Sequence, residues 1–323
     1  MNIGIIQKII KEHDKWSDPE YCIEAVKKSG LNLRFVRIQT PEICLAAIKN
    51  RADVLKYIKY QTSEICLAAV KRNAVVLQYV INQTPEICIA AVKRNGNMLQ
   101  YVRNQTPEIC IAAIKRSGDA LMYVKNQTLE ICMTAVEQKW KLLQHIKIQT
   151  PEICLAAIKW NAEALKFVKI QTLEICLAAV NQDREALRYV KNQTPEICIA
   201  AVKQFGAALP YVRNQTPEIC LAAVQRYNSA IEYAKYQTLE ICMIAANQYK
   251  QYLNYIKIQT PEICLAAVQQ DGMALEFVKI QTPEICAAAI KQNPETYKYI
   301  RLPEDENERD KFLRELGLLL LAT

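Results

Sequence analysis

Residues 84–105 read TPEICIAAVKRNGNMLQYVRNQ, and variants of this 22-residue phrase make up most of the 323-residue chain. Its cysteine, Cys88, belongs to a series that runs from Cys22 to Cys286 with a constant spacing of 22 residues. All 13 cysteines of the chain fall in this series, so the number of cysteines is the number of repeats. The sequence therefore predicts a single array of thirteen repeats.

The first positions of the repeat are typical of the start of an α-helix. If the threonine is position 1, as at Thr84, that position is threonine in twelve repeats and Asp18 in the first. Position 2 holds nine of the 12 prolines, and position 3 is glutamate in every repeat. The side chain at position 1 would cap free N–H groups, proline sacrifices no hydrogen bond at the first helical position, and glutamate faces the positive end of the helix dipole. Helix A is therefore predicted to begin at position 2.

Glycine and apolar residues indicate a second helix in each repeat. Position 13 is expected to hold a left-handed glycine that closes helix A, and helix B is predicted over roughly positions 14–20. The apolar run at positions 4–9 would also fit a β-strand, which periodicity alone does not exclude. The start and stop signals favour an all-α solenoid, a superhelical array of short helix-turn-helix repeats. The five glycines at position 13 are Gly30, Gly96, Gly118, Gly206 and Gly272.

The array needs covers at its two ends, because the outermost repeats would otherwise expose their apolar faces. The repeats are predicted to span residues 18–302. Apolar residues in the flanks predict an N-terminal capping helix at 1–17 and a C-terminal capping segment at 303–323.

The regular cysteines have a structural and a chemical interpretation. Metal binding or a disulfide would require thiols within a few ångströms, whereas equivalent positions in neighbouring helices lie roughly 9 Å apart. Buried, reduced thiols that fill the core are the preferred interpretation, and they fit a cytosolic compartment. Because the chain has only two histidines and seven glycines, the sequence predicts no enzyme, no cofactor and no metal site.

Exposed positions of helix A are a first candidate for function. Positions 3, 7 and 10 share one face of the helix and hold glutamate, usually alanine, and often lysine. Position 7 tolerates Glu24, Thr134 and Ile244, as expected of a solvent-facing site. The small alanines would leave a shallow groove across the repeats, which would fit a strand or helix of a partner.

Positive charge is concentrated in the N-terminal third. Residues 1–127 contain 19 Lys and Arg against 11 Asp and Glu, whereas residues 303–323 contain 3 against 6. These cations either stabilise helix C-termini or form an anion-binding surface for RNA or DNA, although no aromatic residues lie between them to stack on bases. The residues concerned, at positions 10 and 11 of the first five repeats, are Lys27, Lys28, Lys49, Lys71, Arg72, Lys93, Arg94, Lys115 and Arg116.

Aromatic residues appear at positions 11–13 where the basic residues become rarer. A row of exposed rings would suit a protein-binding site, yet the same rings would also fit loop packing. The residues concerned are Trp140, Trp160, Phe205, Tyr227 and Tyr249.

The phrases QTPEICLAA, KRNG and LQYVRNQT resemble the short repeats of a family of unknown function. That family is found mainly in giant DNA viruses of amoebae and in intracellular bacteria associated with amoebae. The resemblance covers nearly the whole chain and implies an intracellular repeat protein of a host-associated parasite. It supplies no activity, ligand or catalytic residue to transfer to this chain.

These patterns together predict a non-enzymatic protein-protein interaction scaffold, viral or host-directed, with a protein partner. The alternative is a solenoid that binds RNA or DNA through its basic N-terminal third, and a structural role in a multimeric assembly is a third possibility. The expected location is the host cytoplasm, or the virion if the protein is viral. No small-molecule substrate is expected. No membrane contact is expected either, because the leucine run Leu318 to Leu321 is far shorter than the about 20 residues of a membrane span.

Overall fold

The computed structural model describes residues 15–321, and every regular element in that range is helical. This excludes the β-strand interpretation and confirms the all-α repeat solenoid. By its contacts the chain divides into two compact units, an N-terminal unit that ends at Trp160 and a C-terminal unit that begins at Asn161. Most of the predicted capping helix at 1–17 lies outside the described residues.

Each repeat contributes one α-helix, and the C-terminal segment contributes a further one. The α-helices are α1 (Pro19–Lys28), α2 (Pro41–Asn50), α3 (Ser63–Arg72), α4 (Pro85–Arg94), α5 (Pro107–Arg116), α6 (Leu129–Gln138), α7 (Pro151–Trp160), α8 (Leu173–Gln182), α9 (Pro195–Gln204), α10 (Pro217–Arg226), α11 (Leu239–Ala246), α12 (Pro261–Gln270), α13 (Pro283–Gln292) and α14 (Glu306–Leu321).

The second helix of each repeat is a 3₁₀ helix of six residues. These helices are η1 (Gly30–Phe35), η2 (Ala52–Tyr57), η3 (Ala74–Tyr79), η4 (Gly96–Tyr101), η5 (Gly118–Tyr123), η6 (Trp140–His145), η7 (Ala162–Phe167), η8 (Arg184–Tyr189), η9 (Gly206–Tyr211), η10 (Asn228–Tyr233), η11 (Lys250–Tyr255), η12 (Gly272–Phe277) and η13 (Pro294–Tyr299). A further short 3₁₀ turn, Lys15–Ser17, precedes α1.

Helix A begins where the sequence predicts. The hydroxyl of Thr84 accepts a hydrogen bond from the N–H of Ile87 at 3.4 Å, and its carbonyl accepts one from Cys88 at 3.1 Å. The first repeat uses Asp18, whose carboxylate accepts from the N–H of Glu20 at 3.0 Å. The threonine cap recurs in the other eleven repeats that begin with threonine. These caps satisfy donors that a helix start leaves free.

The second helix differs from the expected helix B in type and in extent. It covers positions 13–18 rather than 14–20, and position 19 already has an extended backbone, as at Val102. A 3₁₀ helix has three residues per turn, which brings positions 13 and 16 onto one face, so Gly96 and Leu99 are both buried on the core side. The spacing of the apolar residues at positions 16 and 19 fits an α-helix as well as a 3₁₀ helix, so the sequence did not distinguish these two helix types.

Glycine at position 13 does not adopt the expected left-handed conformation, because no described residue has a positive φ. The expectation for the five glycines was therefore wrong, and their role is close packing. A Cβ atom on Gly96 would lie 2.5 Å from the carbonyl oxygen of Ala113 in the next repeat, and one on Gly30 would lie 2.9 Å from that of Ala47. The 3₁₀ helix of one repeat thus presses directly on the α-helix backbone of the next.

A glutamine at position 22 joins successive repeats. The amide Nε2 of Gln83 donates to the carbonyl of Leu77 in its own repeat at 3.3 Å and to that of Tyr101 in the next at 2.9 Å. Its Oε1 accepts from the N–H of Arg103 at 2.9 Å and faces the thiol of Cys88. We call this series the glutamine ladder. Its members include Gln39, Gln61, Gln83 and Gln105 in the N-terminal unit and Gln171, Gln193, Gln215, Gln237, Gln259 and Gln281 in the C-terminal unit.

Cations at position 20 form a second set of bonds between repeats. The guanidinium of Arg213 donates to the carbonyls of Val190 and Lys191 in the preceding repeat, both at 3.0 Å. The ammonium of Lys279 donates to the carbonyl of Ile256 at 3.0 Å. These side chains satisfy carbonyls where the 3₁₀ helix of the preceding repeat ends.

Helix α14 packs on α13 and follows the last repeat. Phe312 and Leu316 are buried, whereas Leu313 is exposed. Ala287 of α13 is also buried, at a position where the other repeats carry a half-exposed leucine, isoleucine or methionine. The segment predicted as a C-terminal cap is therefore a helix that covers part of the last repeat.

Candidate protein-binding surfaces

A groove lies across helix A, with a floor formed by positions 6 and 7. In the N-terminal unit its clearest part has a volume of about 690 Å³ and is lined by residues of α4, α5 and α6. Ile111 and Ala112 form the floor, Lys93 and Lys115 lie at the C-terminal ends of their helices, and Glu108 lies at an N-terminal end. Positions 3 and 10 are separated by about 10 Å along the helix. The floor is half-exposed and apolar, and the two edges carry opposite charges.

A second section of about 580 Å³ lies over α1 and α2. Leu45 and Ala46 form its floor, with Lys27 and Lys49 on one edge and Glu42 on the other. The groove predicted from positions 3, 7 and 10 is therefore present, and position 6 adds a larger apolar side chain that the sequence analysis did not place there.

The glutamates of the groove edge belong to helix starts. The pKa of Glu42 is lowered by its own backbone N–H and by the hydroxyl of Thr40. The Thr150 hydroxyl, and then the backbone N–H, likewise lower the pKa of Glu152. Both carboxylates therefore stay ionised at neutral pH, and that of Glu42 gives the second section of the groove a negative edge.

The nine cations predicted as an anion-binding surface all lie exposed in the N-terminal unit. Lys27 forms an ion pair with Glu24 at 2.7 Å, and Arg72 donates to the carbonyl of Asn50 at 3.0 Å. Arg116 donates to the carbonyl of Arg94 at 3.3 Å. The remaining side chains form no hydrogen bond or ion pair with any described residue, and they are Lys28, Lys49, Lys71, Lys93, Arg94 and Lys115.

The predicted aromatic residues are divided between the two units. Trp160 in the N-terminal unit is 63% exposed, and Tyr227 and Tyr249 in the C-terminal unit are 53% and 60% exposed. Trp140 and Phe205 are half-buried, and the ammonium of Lys141 lies 5.3 Å from the ring of Trp140. The side chains of Trp140 and Phe205 therefore pack partly against neighbouring residues, whereas the rings of Trp160, Tyr227 and Tyr249 are available to a partner.

Three of these aromatic residues replace a helix cap. In most repeats position 12 is a short polar residue, and the side chain of Asn95 accepts a hydrogen bond from the N–H of Asn97 at 3.0 Å. Phe205, Tyr227 and Tyr249 occupy the same position, and η9, η10 and η11 have no side-chain cap. Loss of such a cap costs about 0.5–2 kcal/mol. Three consecutive repeats thus carry an aromatic ring in place of this cap, which four other repeats, with serine, arginine or lysine at position 12, also lack.

Phe205 and Tyr227 line one pocket of about 290 Å³ in the C-terminal unit. Arg184 and Arg226 also line it, and neither side chain has a hydrogen bond or ion pair with a described residue. The sequence analysis missed both arginines. The sequence does mark Arg184 as unusual, because it occupies position 13, which is glycine or alanine in eight repeats.

Tyr252 is a further aromatic residue that the sequence analysis missed. It lies at position 15, which is usually a small or aliphatic core residue, and its ring meets that of Tyr249 edge to face at 5.8 Å. Burial raises the pKa of Tyr252, and the phenols of Tyr227, Tyr249 and Tyr255 add to this effect. Tyr249 and Tyr252 therefore form a ring pair, and the phenols of Tyr227 and Tyr255 lie close enough to affect the titration of Tyr252.

The thirteen cysteines are all free and buried, with at most 2% of each residue exposed. This confirms that they pack in the core. Eight of them also contact a glutamine of the ladder, most closely where the thiol of Cys220 lies 3.3 Å from Oε1 of Gln215. Burial raises the pKa of twelve of these thiols, and the pKa reaches about 11 at Cys44 and Cys286. Such thiols are poor nucleophiles at neutral pH.

Two further findings concern residues 15–321. No group of three or more His, Cys, Asp or Glu side chains is placed to hold a metal ion. None of the helices in this range is both long enough and apolar enough to pass through a lipid bilayer.

The fold and the repeated surface define the class of this chain, an α-helical repeat protein. A family described as a domain of unknown function (DUF4116) matches three stretches, residues 62–106, 84–129 and 260–304. Each match begins at a position-1 threonine and covers about two repeats, so the family has the same repeat frame as the cysteine series. No curated protein is similar to the chain.

Proposed function

We propose that the protein is a non-enzymatic scaffold that binds a segment of another protein along the groove of helix A in the N-terminal unit. The observation that supports this proposal is the groove itself, whose half-exposed floor of Ile111 and Ala112 lies between unpaired lysines on one edge and glutamates on the other. A second apolar floor, formed by Leu45 and Ala46, also lies between lysines on one edge and a glutamate on the other. A repeated surface of this kind suits an elongated partner segment.

The chemistry of the groove indicates what such a segment would contain. Aliphatic side chains would bury the apolar floor, and acidic side chains would lie beside Lys93 and Lys115. Charges on the two edges fix the direction of the bound chain more than they add to its affinity. The resemblance to repeats of amoebal giant viruses and intracellular bacteria supports a partner from the host or the virion, and a cytoplasmic location.

Peptide-phage selection on the immobilised full-length protein tests the proposal. The variant Ala112→Glu blocks the groove, and it should fold because Glu24 occupies the equivalent position naturally. The matched control is Ala222→Glu, the same change at the same repeat position in the C-terminal unit. Selected peptides that combine apolar and acidic residues should bind the natural protein and the control but not Ala112→Glu. Failure to enrich any peptide, or equal binding to all three proteins, would contradict the proposal.

The six unpaired cations support binding of RNA or DNA as a second candidate function. Their spacing by repeat would let them follow a phosphate backbone, and such binding weakens steeply with salt. Fluorescence anisotropy with a labelled single-stranded RNA and a DNA duplex tests this candidate. Glutamine at Lys71, Arg72, Lys93 and Arg94 should remove the binding and flatten its salt dependence. Absence of binding at low salt would exclude this function.

A further inference from the structure

The pocket between Phe205 and Tyr227 has the composition of an anion site with an aromatic wall. Arg184 is the first residue of η8 and Arg226 is the last residue of α10, so the two guanidinium groups come from repeats 8 and 10. Phe205, from repeat 9, lies between them in repeat order and lines the same pocket of about 290 Å³. No acidic side chain lines the pocket.

Both guanidinium groups are available to a ligand. Arg184 and Arg226 are exposed, and neither side chain has a hydrogen bond or ion pair with a described residue. By contrast, Arg188 on the same 3₁₀ helix pairs with Glu185 at 3.6 Å. The pocket therefore presents two guanidinium groups that form no ion pair with a described residue, each with planar donors that match phosphate or carboxylate oxygens.

The residues of the pocket depart from the repeat pattern in three places at once. Arg184 occupies a position that is glycine or alanine in eight repeats. Phe205 and Tyr227 occupy the cap position and leave η9 and η10 without a side-chain cap. Gly206 keeps the packing glycine of the pattern, and a Cβ atom there would lie 2.5 Å from Cβ of Tyr227. This close approach brings the Tyr227 residue against the start of η9.

We infer that this pocket binds a phosphate monoester carried on an aromatic group, of which phosphotyrosine is the form that a partner protein presents. A phosphate monoester carries a charge of about −1.5 to −2 at neutral pH, which matches two arginines. A carboxylate or a phosphodiester carries a charge of about −1 and would leave one guanidinium uncompensated. Inorganic phosphate would leave the rings of Phe205 and Tyr227 uncovered, whereas an aromatic carrier would pack on them.

Calorimetric titration of the full-length protein tests the inference with phenyl phosphate, inorganic phosphate, phenol, O-phosphotyrosine and adenosine monophosphate as probes. Phenyl phosphate should bind at least tenfold more tightly than inorganic phosphate or phenol. Comparison of O-phosphotyrosine with adenosine monophosphate identifies the natural carrier, because each combines the phosphate with a different ring. The pocket lies in the C-terminal unit, so this result does not depend on the groove of the proposed function.

Two variants remove the positive charges of the pocket, and each introduces a residue that another repeat carries at the same position. Arg184→Ala introduces the alanine found at Ala52, and Arg226→Gln introduces the glutamine found at Gln204. Each should weaken phenyl phosphate at least tenfold, while Arg188→Gln, outside the pocket, should leave the affinity unchanged. Unchanged circular dichroism would show that the variants fold. The inference would be overturned if the natural protein and a double variant with both Arg184→Ala and Arg226→Gln bound phenyl phosphate with equal affinity. It would also be overturned if inorganic phosphate bound as tightly as phenyl phosphate, or if phenyl phosphate did not bind at millimolar concentration.

Discussion

The amide of Gln83 donates a 2.9 Å hydrogen bond to the carbonyl of Tyr101, eighteen residues later and in the next repeat. A second bond to Leu77 and an accepted bond from Arg103 make this side chain the link between two 3₁₀ helices. Without it the carbonyl of Tyr101 and the N–H of Arg103 would lose this partner, whereas the carbonyl of Leu77 would keep the N–H of Val80. An unsatisfied buried polar group costs about 1–3 kcal/mol.

Replacement of this link is expected to destabilise the protein. Gln83→Leu keeps the size of the side chain but removes its polar atoms, and should lower the free energy of unfolding by about 1–3 kcal/mol because two part-buried or exposed backbone groups lose this partner. The matched control is Gln78→Leu, since Gln78 is exposed and bonds only to Val75. Urea unfolding followed by circular dichroism measures both. Equal midpoints for the two variants would contradict the role of the ladder.

Replacement of glycine by alanine is predicted to have opposite effects on stability at Gly96, which is at position 13 of a repeat, and at Gly317, which lies in α14. Gly96→Ala should destabilise the protein by about 1–3 kcal/mol, because its Cβ would meet the backbone oxygen of Ala113. Gly317→Ala lies in α14 with no atom within 4 Å of the new Cβ, and should stabilise by about 0.5–1 kcal/mol. Thermal unfolding distinguishes the two signs. Stabilisation by Gly96→Ala would show that the repeats can separate to admit a methyl group.

The cap position offers a reciprocal exchange. Tyr227→Asn should restore a side-chain cap to η10 and stabilise the protein by about 1 kcal/mol, whereas Asn95→Tyr should remove the cap of η4 and destabilise it by a similar amount. Urea unfolding measures both changes. If the aromatic residue serves binding, Tyr227→Asn gains stability and loses affinity for phenyl phosphate. A variant that loses stability would mean that the Tyr227 ring contributes more to packing than a cap does.

Buried thiols predict a decline of stability in alkali. The thiol of Cys44 has a pKa of about 11 in the folded protein and 9.0 without burial. Between these values the unfolded chain releases a proton that the folded chain keeps, so the free energy of unfolding falls as pH rises, by up to about 1.4 kcal/mol per pH unit for this thiol. Below pH 9 the thiol has no such effect.

The contribution of one thiol is measured by difference. Under reducing conditions, Cys44→Ala should show a shallower loss of stability between pH 9 and pH 11 than the natural protein. Other groups titrate equally in both proteins, so they cancel. Parallel curves would mean that the thiol ionises as readily in the folded protein as in the unfolded chain. Labelling with a thiol reagent should likewise be slow until the protein unfolds.

Local chemistry explains which part of the fold was predictable. The threonine, proline and glutamate of each helix start act on groups within four residues, so Thr84 and its neighbours identified α4 without knowledge of anything distant. The groove followed for the same reason, because positions 3, 7 and 10 share a face of any α-helix. The burial of Cys88 followed from the periodicity of the apolar residues around it.

Features that depend on two repeats were not predictable in the same way. Gln83 is a polar residue between two helices, and nothing beside it in sequence indicates carbonyls in different repeats. Gly96 was assigned to a turn because its packing partner, Ala113, lies seventeen residues away. Arg184 and Phe205 likewise meet only in three dimensions. The 3₁₀ helices escaped prediction because six residues are too few for periodicity to separate one helix type from another.

The glutamine ladder makes every junction within a unit interchangeable. If residues 84–105 were deleted, Gln83 would precede Thr106 and would meet the carbonyls of Leu77 and Tyr123, the same kinds of atoms that Gln83 and Gln105 already bond. Gene duplication or loss of a 22-residue cassette would therefore leave no bond of this type broken. The length of the protein can evolve by whole cassettes, and the reach of its binding surfaces can be adjusted without inventing a new fold.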